Sequence, residues 1–307
     1  MRKAFIRTLT ELAGKDSRIS LMTADLGYMV VEEFGEKHPD RFFNVGVAEQ
    51  NMVGLSTGMA GTSQMIPFLY SMSSFVTMRP YEFIRNGPLL HNLKVRIIGI
   101  GGGFEYGAAG HTHYGVEDLG IMRIQPGMTV VVPADFNQAR SALLETFDLP
   151  GPIYYRIGKD DKTTVLGLEG RFQFGKPDTL REGKDIVLLA MGPVVNVCLE
   201  AAESLAKQGM ECSVVLISTL NPLPSDSLVP VLKPFKKVLT VETHYVTGAL
   251  GSLVAEVIAE NNLSCHLKRF GVKEVTRGAV GSREYMNRQS GLSADIIAEE
   301  TAKFFIN

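Results

Sequence analysis

Hydrophobic positions along the chain follow two alternating periods. Short apolar runs rich in β-branched residues predict buried strands, whereas longer stretches with apolar residues three or four positions apart predict helices. Strands that alternate with helices are typical of a parallel sheet wrapped by helices. For the first half of the chain, this pattern predicts strands in RISLMTADL, KVRIIGI, MTVVVPAD and PIYYRIG, and helices at 2–14, about 47–60, about 72–91 and 135–147.

The stretch from about 160 to 184 interrupts this alternation. It is charged, contains several glycines and follows neither period over much of its length, as expected of a segment that crosses between domains. We therefore predict two α/β domains, each with a doubly wound sheet, at 1–165 and 185–307. In the second domain, the pattern predicts strands in DIVLLAMG, ECSVVLIS, KVLTVET and CHLKRFG, and helices at 194–208, about 225–234, 248–261 and from Ser293.

Composition and charge exclude several classes of protein. A chain of 307 residues is longer than one typical domain of about 100–200 residues. The net charge of −2 leaves no basic surface to neutralise a phosphate backbone, which excludes nucleic acid as a partner. The cysteines are odd in number and form no C-x-x-C motif, so we expect core thiols in a reducing compartment. They are Cys198, Cys212 and Cys265.

Neither a membrane nor a secretory pathway is predicted. The N-terminal stretch MRKAFIRTLTELAGKD has helical spacing broken by charges, unlike a signal peptide. No apolar run approaches the ~20 residues that a transmembrane helix needs. We therefore expect a cytoplasmic protein.

A glycine-rich loop follows the strand KVRIIGI. Its sequence GIGGGFEYG does not match G-x-G-x-x-G, because Phe104 stands where the third glycine belongs, and the chain has no G-x-x-x-x-G-K followed by serine or threonine. Two interpretations of Gly101–Gly103 remain open. The glycines form either a tight loop at the end of a strand or a loop that faces a ligand, since open α/β sheets bind ligands at that edge.

Glu49 is the one carboxylate in a run of small, apolar and amide residues. In the first turn of a helix, an acid interacts favourably with the helix dipole and needs no further role. The glycines that follow, Gly54, Gly58 and Gly61, leave the predicted helix with little side-chain bulk, which suits close packing against another helix or chain. A carboxylate at the start of a buried helix needs a partner, and a ligand nitrogen is the alternative interpretation.

Four segments resemble the thiamine-diphosphate enzymes of the transketolase group. FFNVGVAEQNMVGLSTGMA resembles the segment whose glutamate contacts N1′ of the cofactor's aminopyrimidine, and Glu49 matches that glutamate. SFVTMRPYEFIRN resembles the next pyrimidine-binding helix, GAAGHTHYGVEDLGIMRIQPGMTVVVPAD resembles the substrate loop and following strand, and GPIYYRIGK resembles the last strand. The resemblance covers nearly the whole chain. It implies a pyrimidine-binding domain followed by a smaller transketolase C-terminal domain.

The resemblance also implies the chemistry of a cofactor site. Glu49 would promote the imino tautomer of thiamine diphosphate, whose ylid attacks the substrate carbonyl, and Phe75 would stack on the pyrimidine ring. Met72 and Met78, three residues to either side of Phe75, would lie on the same helical face and line the pocket, with core filling as the alternative. Asp25 either lies near the cofactor or ends its strand.

Three further residues match substrate contacts of the group. His113 aligns with a histidine that contacts donor oxygens, and its imidazole can both accept and donate a proton near neutral pH. His111 either contacts substrate or caps the loop. Arg156 matches an arginine that binds the phosphate of sugar phosphates, with a surface ion pair as the alternative.

The substrate loop departs from the group's pattern. Relatives carry G-E-D-G where this chain has GAAG, so Ala108 and Ala109 replace two acids. A further histidine of the group aligns with Gly101–Gly102. The sequence therefore leaves open the identity of the donor and acceptor, and whether they are phosphorylated.

The chain also lacks the G-D-G motif that holds the metal and diphosphate in this group. The resemblance therefore implies the C-terminal half of a split transketolase. A companion N-terminal subunit would supply the diphosphate site and the Mg²⁺ ligands in an α2β2 heterotetramer acting on a small sugar-like substrate. Two alternatives remain open: a subunit similar to 1-deoxyxylulose-phosphate synthase or to the 2-oxo acid dehydrogenase beta chain, and a non-catalytic scaffold. The joint presence of Glu49, Phe75 and His113 argues against a scaffold.

Overall fold

Two β-sheets organise the chain in the computed structural model, which describes residues 1–275 and 277–306. The seven strands of the first sheet are β1 (Ile19–Thr23), β2 (Phe42–Asn44), β3 (Ile66–Met72), β4 (Arg96–Ile100), β5 (Thr129–Val131), β6 (Ile153–Ile157) and β10 (Thr219–Asn221). The five strands of the second sheet are β7 (Pro177–Arg181), β8 (Ile186–Met191), β9 (Cys212–Ile217), β11 (Lys237–Tyr245) and β12 (His266–Val272).

Both sheets are parallel except at one edge. The first has the order β10-β5-β6-β4-β3-β1-β2, and only β10 runs antiparallel, against β5. The second has the order β12-β11-β8-β9-β7, and only β7 runs antiparallel, against β9. Chain order reverses about β1 in the first sheet and about β8 in the second, which is the doubly wound arrangement. The predicted α/β class is confirmed.

Helices cover the faces of the sheets. They are α1 (Arg2–Ala13), α2 (Glu32–Lys37), α3 (Glu49–Ser63), α4 (Ser73–Met78), α5 (Tyr81–Ile84), α6 (Asp118–Arg123), α7 (Phe136–Thr146), α8 (Val195–Ala206), α9 (Ser225–Leu232), α10 (Leu250–Glu260), α11 (Arg283–Gln289) and α12 (Ala294–Ile306). Within the described residues, no helix has both the length and the apolar composition required to span a bilayer.

The long helix predicted at about 72–91 is wrong. Residue 72 still belongs to β3, and Pro80 separates α4 from α5. A single wide turn, Arg85–Leu89, follows and contains Pro88. Proline interrupts a helix because it lacks the backbone N–H and its ring clashes with the preceding turn.

The two domains share one continuous region of apolar packing. The cluster that contains Met22 and Leu69 of the first sheet also contains Leu189 of the second sheet and Val254 of α10. Strand β10 follows β8 and β9 of the second sheet in the sequence, yet it pairs with β5 of the first sheet. The second domain is therefore joined to the first by both a strand pairing and a common core.

Candidate cofactor and substrate site

Glu49 begins α3, and its carboxylate is buried beside one polar and one charged side chain. Its side chain is only 2% exposed. Oε1 accepts a hydrogen bond from Ser71 Oγ at 3.1 Å, and Oε2 lies 2.7 Å from Nη1 of Arg79. Ser71 belongs to β3 and Arg79 follows α4, so segments distant in sequence meet at this acid. The carboxylate therefore does more than interact with the dipole of its own helix.

Phe75 and His113 lie next to this ion pair. The guanidinium carbon of Arg79 is 3.8 Å from the centroid of the Phe75 ring. The His113 ring meets Phe75 edge-on, with 5.2 Å between ring centroids. The structure therefore brings together Glu49, Phe75 and His113. Sequence reasoning missed Arg79, although its position four residues after Phe75 is the spacing at which helical side chains meet.

The two methionines differ from their predicted placement. Met72 ends β3 and immediately precedes α4, and its backbone is extended, with φ −64° and ψ 146°. It is therefore not helical, and the prediction that it shares a helical face with Phe75 is wrong. Met78 ends α4 and is 45% exposed, which does not agree with core filling. That either methionine lines the cofactor pocket stays a prediction.

An open pocket of about 810 Å³ borders Glu49. Large apolar side chains are exposed on α3, α5 and their flanking turns, at Val47, Leu55, Phe83 and Leu90. Two of them, Val47 and Phe83, also line the pocket, and contiguous exposed apolar surface is typical of interaction sites. The residues that line the pocket are Val47, Ala48, Glu49, Gln50, Asn51, Arg79 and Phe83.

Asp25 lies at the carboxyl edge of the same sheet. It is exposed and left-handed, with φ 56°, a conformation that aspartate tolerates better than most residues. Its Oδ1 accepts from Asn44 Nδ2 at 3.0 Å, and its backbone N–H donates to Asn44 Oδ1 at 3.1 Å. This reciprocal pair joins the ends of β1 and β2, and sequence reasoning did not single out Asn44.

The second domain supports the predicted substrate loop. His111 is exposed and His113 is half-buried, and both belong to a single 3₁₀ turn after Gly110. The hydroxyl of Tyr114 donates to the carbonyl oxygen of Ala279 at 2.5 Å. The N–H of Gly281 donates to the carbonyl oxygen of Gly107 at 3.4 Å. The position of both histidines therefore depends on the segment before α11.

The glycine-rich loop packs tightly. Gly101 and Gly103 have positive φ values of 75° and 65°. A Cβ atom on Gly102 would lie 1.8 Å from Nε of Arg156. The tight-loop interpretation accounts for all three glycines. Gly101 and Gly103 adopt positive φ, and Gly102 lets the backbone pass directly over Arg156.

Arg156 points into the protein. It is 6% exposed, and its Nε lies 3.0 Å from Asp118 Oδ2 without the alignment of a hydrogen bond, which makes the contact an ion pair. Its Nη2 donates to the carbonyl oxygens of Gly115 and Thr243. The alternative of an ion pair is therefore observed, in the interior rather than at the surface. A role in binding substrate phosphate stays a prediction.

A buried network surrounds this pair, and sequence reasoning missed it. The Tyr154 hydroxyl donates to Asp118 Oδ2 at 2.6 Å, and burial, with Asp118 nearby, raises the pKa of that hydroxyl. His244 Nε2 accepts from the N–H of Gly120 at 3.0 Å. Burial lowers the pKa of His244, which favours the neutral ring that this acceptor role requires. The network joins both domains behind the substrate loop.

We expect Asp118→Ala to lower the free energy of unfolding by about 3–5 kcal/mol, because it leaves the buried Arg156 guanidinium without its ion-pair partner. Tyr154→Phe is the matched control. It removes one hydrogen bond to the same carboxylate and should cost only about 1 kcal/mol. Urea unfolding followed by circular dichroism measures both. Equal losses for the two variants would contradict an energetically important ion pair.

Within residues 1–275 and 277–306, no group of three or more histidine, cysteine, aspartate or glutamate side chains is arranged to hold a metal ion.

Comparison with protein families gives two matches along the chain. Residues 1–162 match the transketolase pyrimidine-binding domain, and residues 175–297 match the transketolase C-terminal domain. Together they cover most of the chain in the order of the two sheets.

Similar proteins include several that match from end to end. The chain is 35% identical to a putative transketolase C-terminal section of Methanocaldococcus jannaschii, over 97% of this chain and 94% of that protein. It is also 35% identical to the 6-deoxy-6-sulfo-D-fructose transketolase subunit SqwH of Clostridium sp., over 96% and 91%. A 1-deoxy-D-xylulose-5-phosphate synthase of Desulfitobacterium hafniense is 35% identical, over 91% of this chain but 44% of the synthase.

Solved structures agree with these matches. A split-gene transketolase described as an inactive beta4 tetramer superposes with a TM-score of 0.89 at 33% identity, covering 98% of this chain and 97% of that one. A transketolase mutant of Pichia stipitis superposes with a TM-score of 0.84 at 20% identity, over 99% of this chain and 45% of that one, which shows a common fold.

Proposed function

Because the chain belongs to the transketolase family, we propose that it is the C-terminal subunit of a split transketolase, which moves a two-carbon ketol unit from a ketose to an aldehyde. The observation that carries this proposal is the buried Glu49 carboxylate beside the Phe75 ring and an open pocket. The relatives that match the whole chain support it, since they are named as transketolase sections or subunits. The synthases are matched over less than half of their length, whereas the relatives matched over more than nine-tenths of theirs are a transketolase section and a transketolase subunit, so the synthase alternative is not favoured.

The residues beside this pocket fit the aminopyrimidine end of thiamine diphosphate. A carboxylate that is 2% exposed suits a ring nitrogen with which it shares a proton, and an aromatic face suits the ring itself. When bound, the cofactor supplies the carbon nucleophile for ketol transfer. We assign the cofactor contacts to Glu49, Phe75, Met72, Met78 and Asp25.

Each residue then has a distinct task. Glu49 holds a proton at N1′, and Phe75 orients the pyrimidine plane. His113, in contact with Phe75, exchanges a proton with oxygens of the donor sugar. His111 and Arg156 are assigned to the substrate. For Arg156, this role requires the guanidinium to release Asp118 and two backbone carbonyl oxygens.

The rest of the cofactor site belongs to a companion N-terminal subunit. We propose that this companion carries a G-D-G motif, provides the Mg²⁺ and diphosphate ligands, and forms a heterotetramer with two copies of each chain. Its contact surface on this chain comprises α3 and the exposed apolar side chains Val47, Leu55, Phe83 and Leu90. A companion bound to this surface covers the Glu49 pocket and brings the second half of the cofactor site to it.

Calorimetric titration of thiamine diphosphate and Mg²⁺ tests the split site. We expect no measurable binding to this chain alone and metal-dependent binding to an equimolar mixture with the companion. Ketol transfer activity of that mixture distinguishes a catalytic subunit from a scaffold. Use of pyruvate instead of a ketose donor would favour the synthase or dehydrogenase alternative. Tight, metal-dependent binding by the single chain would refute the split site.

A further inference from the structure

Arg79 makes the two contacts that the proposed function assigns to the aminopyrimidine ring. Its Nη1 lies 2.7 Å from Glu49 Oε2, and its Cζ lies 3.8 Å from the centroid of the Phe75 ring. A guanidinium is flat, carries N–H donors along its edge and stacks on aromatic rings. In those three respects it resembles an aminopyrimidine that donates to a carboxylate.

Each oxygen of the Glu49 carboxylate has one partner within this chain. Oε1 is bonded to Ser71, and Oε2 is bonded to Arg79. Removing an ionised carboxylate from water is costly unless a counter-charge accompanies it. Arg79 supplies this charge from a side chain that is 43% exposed, so it reaches inward from the surface.

A pyrimidine cannot take the same place while the guanidinium remains. The Arg79 group covers the Phe75 ring at contact distance and holds the oxygen of Glu49 that is not bonded to Ser71. Arg79 also borders the open pocket of about 810 Å³, which gives its long side chain space to swing away without a backbone movement.

We propose that Arg79 is an internal competitor of the cofactor: it occupies the contacts of Glu49 and Phe75 in the free chain and leaves when the aminopyrimidine binds. This inference rests on the proposed function. It assigns Arg79 a role in setting cofactor affinity, not in the reaction. An arginine that occupies the site in about nine molecules of ten lowers the apparent affinity about tenfold, because only the open fraction binds.

The first test measures cofactor affinity in the assembled two-subunit enzyme at saturating Mg²⁺. Arg79→Met keeps the side-chain length but removes the charged planar group, and should tighten thiamine diphosphate binding about tenfold by calorimetry. Arg79→Lys retains a charge without the flat group and should give an intermediate constant. Arg85→Met is the control, because Arg85 is exposed and bonds Asn86 rather than Glu49, so its constant should equal the parent's.

The second test does not require cofactor activity. Phenylglyoxal labelling, followed by mass spectrometry of the peptides, reports how available each arginine is. In the single chain, Glu49→Gln should speed the labelling of Arg79 several-fold and leave Arg85 unchanged. In the assembled enzyme, added thiamine diphosphate should speed the labelling of Arg79.

Three results would overturn the inference. Weaker or unchanged cofactor binding by Arg79→Met would show that Arg79 does not compete. Labelling of Arg79 that is no faster in Glu49→Gln would show that the pair does not hold it in the free chain. Slower labelling on addition of cofactor would show that Arg79 contacts the cofactor. A parent assembly that binds no thiamine diphosphate at all refutes the proposed function, and the labelling of the single chain still decides whether Glu49 holds Arg79.

Discussion

Glu49→Gln should leave the chain folded and able to assemble, yet lower ketol transfer by the proposed two-subunit enzyme about 10²–10⁴-fold, the range typical of a lost general acid or base. The amide has the size of the carboxylate, and its oxygen can still accept the hydrogen bond from Ser71. It cannot share a proton with a ring nitrogen. The loss should therefore fall on the chemistry and not on the fold.

The rate of hydrogen–deuterium exchange at C2 of the cofactor measures this loss most directly. The measurement belongs at saturating thiamine diphosphate, because Glu49→Gln also frees Arg79 and so changes cofactor affinity. Glu82→Gln is the control, since it removes an exposed carboxylate from the neighbouring helix α5. Exchange in Glu49→Gln as fast as in the parent would exclude Glu49 as the activating acid.

The predictable part of the fold is the part whose burial is continuous. Strands β4, β6 and β8 are buried at every position, so each appears in the sequence as a mainly apolar run, which only Arg96 in β4 and Arg156 in β6 interrupt. The antiparallel strand β7 is half-exposed, and β10 is only three residues long. Neither leaves a pattern that distinguishes a strand from a loop, because the pairing that defines it comes from the neighbouring strand.

Proline accounts for the largest error in the first domain. Strand β3 is buried at six of seven positions but contains Pro67, and the sequence pattern did not predict it. Pro80 and Pro88 lie within the predicted helix at 72–91 and divide it. The sequence does contain this signal, since proline cannot donate a backbone hydrogen bond inside a helix.

The candidate site was predictable only in part. The resemblance to transketolases selected Glu49, Phe75 and His113, and the fold brings them together from α3, α4 and the loop after β4. The pairing of Glu49 with Arg79 spans thirty residues and depends on how α3 meets the end of α4, which no local period encodes. The direction of Arg156 depends on the Gly102 loop that passes over it.

Helix α3 carries glycines that the fold of this chain does not need. Gly54, Gly58 and Gly61 are all exposed. A Cβ atom at Gly58 would meet nothing within 4 Å, and one at Gly54 would first meet Phe83, at 4.0 Å. Glycine inside a helix costs about 0.5–1 kcal/mol relative to alanine. A helix that bears this cost on an exposed face is suited to close approach by another chain.

Gly58→Leu should therefore separate folding from assembly. In the single chain, it should raise the free energy of unfolding by about 0.5–1 kcal/mol, because leucine favours the helix and has free space there. In the mixture with the companion, the added side chain should overpack a closely packed interface at a cost of about 1–3 kcal/mol, which weakens assembly about 5- to 150-fold. Cofactor binding should weaken in parallel, since the pocket beside Glu49 is then left without its other half.

Ser204→Leu provides the matched control for this variant. Ser204 is exposed on α8 of the second domain, so the substitution adds a similar side chain away from α3 and should leave assembly unchanged. Urea unfolding of each single chain and sedimentation velocity of each mixture give the two quantities separately. If Gly58→Leu assembles as tightly as the parent, the companion does not pack against α3. If the single chain is destabilised instead, the glycine serves the fold of its own chain, and the glycines of α3 no longer indicate an interface.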